Sequence, residues 1–222
     1  MKLPHTAHTS RPWRIHELTP DFELEDVWAL PTPGGPDDFP RLVQQAVDDD
    51  PSELNEKGEF VGSASPDLAS RVSRALFTLR WRLGEVFGWD DREAGVGARV
   101  ATLRDRLPED LLDAPRGPDL GAAPMTSVYL TGDEWASELA NRTVHSVMHI
   151  GWVPDETGGY RGQMAVLVKP NGVLGRAYMA AIKPFRYLFV YPALMRSIER
   201  EWRDGSGCSS RTTASSSSTV TR

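Results

Sequence analysis

The fold is decided by residues 126–169, TSVYLTGDEWASELANRTVHSVMHIGWVPDETGGYRGQMAVLVK. Apolar and polar residues alternate with period two in four runs of this stretch, which is the pattern of half-buried β-strands. The four runs are residues 126–131, 135–140, 143–153 and 160–169. Short turns containing Gly, Asp and Asn separate them. Strands joined by such short turns predict an antiparallel meander.

The segment after these strands, residues 174–202, has the spacing of a helix. Its apolar side chains recur at intervals of three and four, which predicts an amphipathic helix of about 43 Å. Pro184 and Pro192 each remove a backbone donor and are expected to kink it. A kinked apolar helix can lie across a curved sheet. The predicted fold class is therefore α+β, with an antiparallel sheet wrapped around a long C-terminal helix.

The first half of the chain predicts both strands and helices. Residues 11–18 predict a strand, and residues 22–30 predict a strand or an irregular segment. Helical apolar spacing predicts helices over residues 38–48 and 65–88. A shorter helix is predicted over residues 98–106.

Length and charge limit the class of protein. A chain of 222 residues with 40% apolar residues predicts a single domain. The net charge of -6 disfavours nucleic acid and anionic membrane surfaces as partners. We expect residues 1–10 to be flexible, residues 11–203 to form the domain, and the Ser/Thr-rich residues 204–222 to be disordered.

Cysteine and arginine usage indicate the compartment and the source. The single cysteine, Cys208, lies in the predicted tail, so no disulfide is possible within one chain. Neither a signal peptide nor an apolar span of ~20 residues is visible, which predicts a cytoplasmic protein. Arginine outnumbers lysine, as is typical of a GC-rich bacterial genome.

Several segments carry a resemblance to a known family. They are WRLGEVFGWD (81–90), NRTVH (141–145), GRAY (175–178) and the run from IKPFR (182–186) to VYP (190–192). Over roughly residues 10–203 the chain resembles the bacterial DUF2867 family, described as START-like or helix-grip (START/Bet v 1-like). The resemblance implies a sheet curved around the C-terminal helix, with an apolar cavity between them. It supplies no active site, and no G-x-G-x-x-G follows a strand, so no cofactor is expected.

The best candidates for chemistry are two glutamates and two histidines on the predicted strands. If residues 141–142 form a two-residue turn, Glu138 lies opposite His145, and Glu134 lies opposite His149, on one face. A carboxylate about 5 Å away raises the pKa of a histidine, which suits acid–base catalysis near neutral pH. Such pairs are also common on solvated sheet faces, and a longer turn would change the register.

Metal binding and nucleophilic catalysis are not expected. On a strand, His145 and His149 are separated by about 13 Å, too far for one zinc ion whose ligands lie ~2 Å away. His5 and His8 lie in the segment predicted to be flexible. The sequence contains no G-x-S-x-G motif and no cysteine in the predicted core.

Three functions are compatible with these patterns. The first is a module that binds a small apolar molecule in a cavity between sheet and C-terminal helix. The residues expected to contact it are Met148, Trp152, Met164, Tyr178 and Arg186. The second is a cyclase, isomerase or hydrolase that uses a Glu–His pair in the same cavity. The third is a protein interaction domain that uses residues 89–124 and the exposed part of the terminal helix. Its partner could be a second copy of the chain, which would form a homodimer.

Overall fold

A computed structural model describes residues 1–48, 96–97, 100–120, 125–141 and 143–212. The helix predicted over residues 65–88 and parts of the predicted loop 89–124 lie outside the described residues.

The described residues form one six-stranded antiparallel sheet with helices on both faces. The strands are β1 Lys2–Leu3, β2 Glu23–Ala29, β3 Thr126–Leu130, β4 Glu134–Ala140, β5 Val144–Pro154 and β6 Tyr160–Pro170. The helices are α1 Thr6–Thr9, α2 Ile15–Leu18, α3 Phe39–Asp48, a 3₁₀ helix Leu103–Arg106, α4 Glu109–Leu112, α5 Gly172–Phe185, a π-helical turn Arg186–Val190 and α6 Tyr191–Thr212.

The strand order across the sheet is β1-β2-β6-β5-β4-β3. Strands β3 to β6 pair in chain order, which confirms the predicted antiparallel meander. Strand β2 adds to the outer side of β6. A bulge between Leu24 and Asp26 places Leu24, Val27 and Ala29 opposite alternate residues of β6, so that they face the same side. The predicted helix over residues 38–48 is confirmed as α3. Of the helix predicted over residues 98–106, the described residues contain only the 3₁₀ helix at its end.

One face of the sheet, called here the helix face, packs against α3 and the C-terminal helices. Trp135, Ile150, Trp152 and Met164 project from this face because they alternate along β4, β5 and β6. They pack with buried side chains from the helices, namely Phe39, Leu42, Val43, Tyr191 and Trp202. An apolar sheet surface covered by the terminal helix is therefore present on this face.

The opposite face, called here the histidine face, is covered by the N-terminal segment and the 3₁₀ helix. Trp13, Ile15 and Leu18 pack there against Val147 and Ala165. The strand predicted over residues 11–18 is wrong, since the segment forms the short helix α2. Trp13 and Ile15 lie two residues apart, which is the spacing of a strand. Here a single helical turn instead brings Ile15 and Leu18, three residues apart, to the same buried side.

Residues 1–10, expected to be flexible, form β1 and α1, so this expectation is corrected. Lys2 pairs with Trp28 and Leu3 with Val27 across the β1–β2 ladder. His8 is completely buried in α1. The ten residues contain few apolar side chains. Apart from the packing of Leu3 against the apolar cluster of the histidine face, the contacts that order them are mainly polar, and hydrophobic periodicity does not detect these.

The predicted terminal helix is present but interrupted. Pro184 lies one residue before the end of α5, and Pro192 lies in the first turn of α6, so the π-helical turn falls between them. Because proline has no backbone N–H to donate, Pro184 and Pro192 interrupt the regular hydrogen bonding of the α-helix. Helix α6 continues to Thr212, past residue 204, where a disordered tail was expected. Adding a residue to an existing helix needs no new nucleus, so a poor helical sequence can extend it.

Candidate functional site

The Glu–His pairs predicted from the sequence are formed, although in a different register. The turn after β4 is longer than two residues, so Ala140 pairs with His145 and Glu138 with Val147. The shift moves β5 by two positions, and because strand side chains alternate, a shift of two keeps every residue on its predicted face. The pairs now form diagonally: His145 Nε2 lies 2.8 Å from Glu138 Oε2, and His149 Nε2 lies 2.9 Å from Glu134 Oε2.

Both pairs are buried on the histidine face, on the far side of the sheet from the terminal helix. Glu134, Glu138, His145 and His149 are each at most 3% exposed. The expectation that a Glu–His pair shares a cavity with the C-terminal helix is therefore corrected. The same period-two rule that groups the four residues also separates them from the helix face.

The Glu138–His145 pair is closed by the 3₁₀ helix. The Leu103 backbone N–H donates to both carboxylate oxygens of Glu138 at 3.1 Å, and the Thr102 hydroxyl donates to Oε1. The ring of Phe22 packs edge-on against His145, with ring centroids 5.0 Å apart. With its carboxylate saturated by donors from the chain itself, this pair fastens the 3₁₀ helix to the sheet.

The Glu134–His149 pair is bonded differently. The Glu134 carboxylate accepts from the Arg14 backbone N–H at 3.0 Å and from the Tyr129 hydroxyl at 3.0 Å, in addition to His149. Burial opposes ionisation of Glu134, but the hydrogen bond from His149, with those from the Arg14 backbone and Tyr129, outweighs it and lowers the pKa of this carboxyl. Burial beside Glu134 raises the pKa of Tyr129, which stays a neutral donor. Glu134 is thus an ionised buried carboxylate.

A chain of three histidines leads away from Glu134. His149 Nδ1 lies 3.1 Å from His8 Nε2, and His8 Nδ1 lies 3.1 Å from His16 Nε2. His149 and His8 are fully buried, whereas His16 is partly exposed. Burial, with a smaller contribution from the neighbouring histidines, lowers the pKa of His8 to about 2. The pKa of His16 is also lowered, first by burial and then by His149.

A solvent-open cleft of about 750 Å³ borders the inner end of this chain. Its lining includes Glu134, the aromatic residues Trp13, Trp152 and Tyr160, and the charged residues Arg11 and Asp133. Trp13 approaches the sheet closely because Gly151 has no side chain: a Cβ there would lie 2.6 Å from Trp13 Cη2. The lining of the cleft therefore combines aromatic with charged residues.

The residues expected to contact a ligand are divided between two places. Trp152 lines the cleft, and its indole N–H donates to the Gly35 carbonyl at 2.9 Å. Met148 and Met164 lie in the packed cluster of the helix face, and Tyr178 packs in a smaller cluster on the same face.

The fifth expected contact residue, Arg186, binds a protein carboxylate. Its guanidinium lies 2.7 Å from Asp26 Oδ2, and Tyr191 also donates to that oxygen at 2.7 Å. Asp26 is buried, and the π-helical turn carries Arg186 to it. In this structure Arg186 therefore ties the terminal helix to strand β2.

Sequence reasoning missed the N-terminal members of the site. His8, His16 and Arg14 reach Glu134 and His149 from more than a hundred residues away, and only folding brings them together. One signal was available, because three of the five histidines of the chain lie within its first 16 residues. No cluster of three or more potential metal ligands with metal-binding geometry occurs among the described residues. His149, His8 and His16 instead bond to one another.

The family model described as "Protein of unknown function (DUF2867)" matches residues 18–193. This span contains the whole meander, Glu134 and His149, whereas His8 and His16 precede it. No curated protein and no solved structure matches the chain. Among the described residues, none of the helices has the length and apolar character needed to cross a bilayer.

Proposed function

The chain belongs to the DUF2867 family, and from that premise we propose that it binds a small molecule in the cleft bordered by Glu134. The observation that carries this proposal is the presence of three aromatic residues, Trp13, Trp152 and Tyr160, in the lining of one open volume of about 750 Å³. Small-molecule sites are concave and mostly apolar or aromatic, with a few polar groups that orient the ligand.

The charges around the cleft favour a neutral or cationic ligand. Two arginines, Arg11 and Arg14, face three carboxylates, Asp110, Asp133 and Glu134. Arg14 is already paired with Asp110 at 2.6 Å, which leaves the remaining carboxylates in excess over Arg11. Indole rings bind cations on their faces. A small aromatic molecule with an amino or hydroxyl group therefore fits this lining best.

The location expected from the sequence, between sheet and terminal helix, receives less support. Met148 and Met164 are packed against protein side chains, and they line neither the cleft at Glu134 nor a second cleft between Leu3 and Arg161. The helix-grip assignment, from which that location came, stays a prediction. Strand β5 nevertheless links the two locations, since Trp152 belongs to the helix face and also lines the cleft.

An acid–base enzyme of the isomerase, cyclase or hydrolase kind is the second candidate. Its specific support is Glu134, a buried carboxylate bonded to a histidine and bordering a solvent-open cleft. A general base must lie within hydrogen-bond reach of the proton that it removes, and a ligand in the cleft would satisfy this. The Glu138–His145 pair is sealed by Leu103 and is not part of this candidate.

Binding is tested by titrating ¹⁵N-labelled protein with tryptamine and, as the matched anion, indole-3-acetate. We expect tryptamine to shift the indole signals of Trp13 and Trp152, with the signal of Trp28 as the internal reference. We expect indole-3-acetate to bind at least about 3-fold more weakly, because of the excess carboxylates. Replacement of Asp133 by Asn should remove most of this preference. A set of neutral and cationic aromatic fragments that shifts neither cleft tryptophan would refute the proposal.

A further inference from the structure

We propose that His149, His8 and His16 form a proton relay that connects Glu134 in the cleft with solvent. This inference deepens the proposed function, because it assigns the cleft a ligand that exchanges a proton with Glu134, such as an amine, a hydroxyl compound or a carbon acid. It rests on the contacts of the histidine chain, and its test uses no ligand.

The tautomer of each histidine is fixed by its inner neighbour. Glu134 is an acceptor only, so a neutral His149 donates to it from Nε2 and keeps Nδ1 free. His149 Nδ1 then accepts from His8 Nε2, and His8 Nδ1 accepts from His16 Nε2. In the relay that we propose, the three resting rings therefore carry hydrogen on Nε2, and every hydrogen bond between them points toward Glu134.

This arrangement moves one proton without leaving a charge on a buried ring. A proton bound at His16 Nδ1 lets His16 release its Nε2 hydrogen to His8 Nδ1. His8 passes its Nε2 hydrogen to His149 Nδ1, and His149 passes its own to Glu134 Oε2. One proton has entered at His16 and one has reached the carboxylate, so each ring is neutral again with hydrogen on Nδ1. The reverse steps start from this second state: Glu134 returns its proton to His149 Nε2, His149 passes its Nδ1 hydrogen to His8 Nε2, and His8 passes its own to His16 Nε2. His16 then releases its Nδ1 hydrogen to solvent, and the rings again carry hydrogen on Nε2.

The groups around the three histidines favour passage of a proton along them over its retention on any one ring. The groups that face the chain from the neighbouring elements are Arg14, Tyr129, Asp133 and exposed His5. Tyr129 and the Arg14 backbone hold the Glu134 carboxylate in place. Burial of His8 disfavours its charged form, so a proton passes His8 without remaining there. His16 is the partly exposed member and supplies the outer end.

The first test is the tautomer of each ring in the wild-type chain. Long-range ¹H–¹⁵N correlation at neutral pH should find His8, His16 and His149 neutral, each with hydrogen on Nε2. A His149 ring that carries its hydrogen on Nδ1, or that is positively charged, would overturn the relay. This measurement needs no substitution, so it decides the question even where a variant does not fold.

The second test interrupts the chain while keeping its hydrogen bonds. In His16→Gln the side-chain amide can still donate to His8 Nδ1, but it cannot accept a proton and pass another on. We expect solvent exchange of the His149 Nε2 hydrogen to slow at least about 10-fold in this variant. Exchange of the His145 Nε2 hydrogen, outside the chain, should not change, and the exposed His5→Gln variant should behave as wild type.

An unchanged His149 exchange rate in His16→Gln would show that protons reach the site by another path. Failure of the relay and failure of the proposed function remain distinguishable. A cleft that binds tryptamine while His16→Gln exchanges normally retains the binding function without the relay. If His16→Gln slows the exchange but no aromatic fragment binds, the relay is supported and the proposed aromatic ligand is refuted.

Discussion

Glu134 and Glu138 are each paired with a histidine, but they play different parts because of the residues around them. Glu138 is bonded to Thr102 and to the Leu103 backbone, so its oxygens face protein only. Glu134 has comparable hydrogen bonds but borders the cleft. Their different access to the cleft depends on the segment that covers each carboxylate, and residue type alone does not reveal that segment.

At this scale the sequence predicted the Glu–His pairs but not the chain that extends from one of them. The pairs follow from strand periodicity, and they survived a register error because the error was an even number of residues. His8 and His16 lie on helices that pack over the sheet, and no local pattern relates their positions to His149.

Burial of His8 predicts a pH-dependent stability. The pKa of His8 is about 2 in the folded protein, against 6.5 as the ordinary value. Below pH 6.5 the unfolded chain therefore binds a proton that the folded chain does not. The free energy of unfolding consequently decreases as the pH is lowered. Between pH 8 and pH 5 we expect His8 to account for a loss of about 2 kcal/mol. The lowered pKa of His16 acts in the same direction.

Urea denaturation at several pH values measures this effect by comparing wild type with His8→Gln. The variant should lose less stability on acidification, with a slope smaller by up to about 1.4 kcal/mol per pH unit. Exposed His5→Gln, the matched control, should keep the wild-type slope. Parallel curves for wild type and His8→Gln would contradict the burial of a neutral His8.

At the scale of elements, helix α5 begins against the backbone of the turn after β4. The Asn171 backbone N–H donates to the Thr143 carbonyl at 2.7 Å, and the Asn171 side chain donates to the Asn141 carbonyl at 3.0 Å. Gly175 faces the same turn: a Cβ there would lie 2.2 Å from the Thr143 oxygen. The GRAY motif thus contains a glycine required for this close approach.

Replacement of Gly175 by Ala is expected to destabilise the fold by about 2 to 3 kcal/mol, because a backbone oxygen cannot move aside as a flexible side chain does. Alanine normally stabilises a helix relative to glycine, so a loss identifies the contact with Thr143 as its cause. The control is Gly132→Ala, where a Cβ would meet nothing within 4 Å. Thermal and urea denaturation measure both variants, and equal stability of the two would contradict the docking geometry.

Element prediction succeeded where the hydrophobic pattern was periodic and failed where the ordering contacts were polar. Strands β3 to β6 and helix α3 follow from apolar spacing alone. Helix α2 contains too few residues to show a period. The π-helical turn depends on Asp26, which holds Arg186 from a distant strand. Sequence spacing indicated an interruption near the prolines but not the contact that fixes its position.

For the whole molecule, the sheet is a central layer with different chemistry on its two faces. The helix face contains a large apolar cluster with Trp152 and Trp202. The histidine face contains a second apolar cluster and both Glu–His pairs. The sequence indicated that one face is apolar and the other mixed. It did not indicate that the mixed face is covered, because its cover comes from residues 1–18 and 103–112.

Deletion of residues 1–9 tests this covering directly. The deletion removes the β1 ladder and the His8 side chain, and it leaves His149 Nδ1 buried without its partner. An unsatisfied buried polar atom costs about 1 to 3 kcal/mol, and lost packing of Leu3 and Ala7 adds to that cost. We expect the free energy of unfolding to fall by about 3 kcal/mol or more. The control, Thr6→Ala with Thr9→Ala, changes only exposed side chains of α1 and should stay within about 0.5 kcal/mol of wild type.

Hydrogen exchange decides which part of the molecule responds to that deletion. Loss of the cover should raise amide exchange in β5 and β6 around His149 and Ala165, which lie beneath α1 and α2. Exchange in α3, which packs on the helix face, should change far less. If the shortened chain instead unfolds at the wild-type urea midpoint with unchanged exchange, residues 1–9 are a flexible extension, as their composition indicates. The histidine chain would then have no fixed route from Glu134 to solvent.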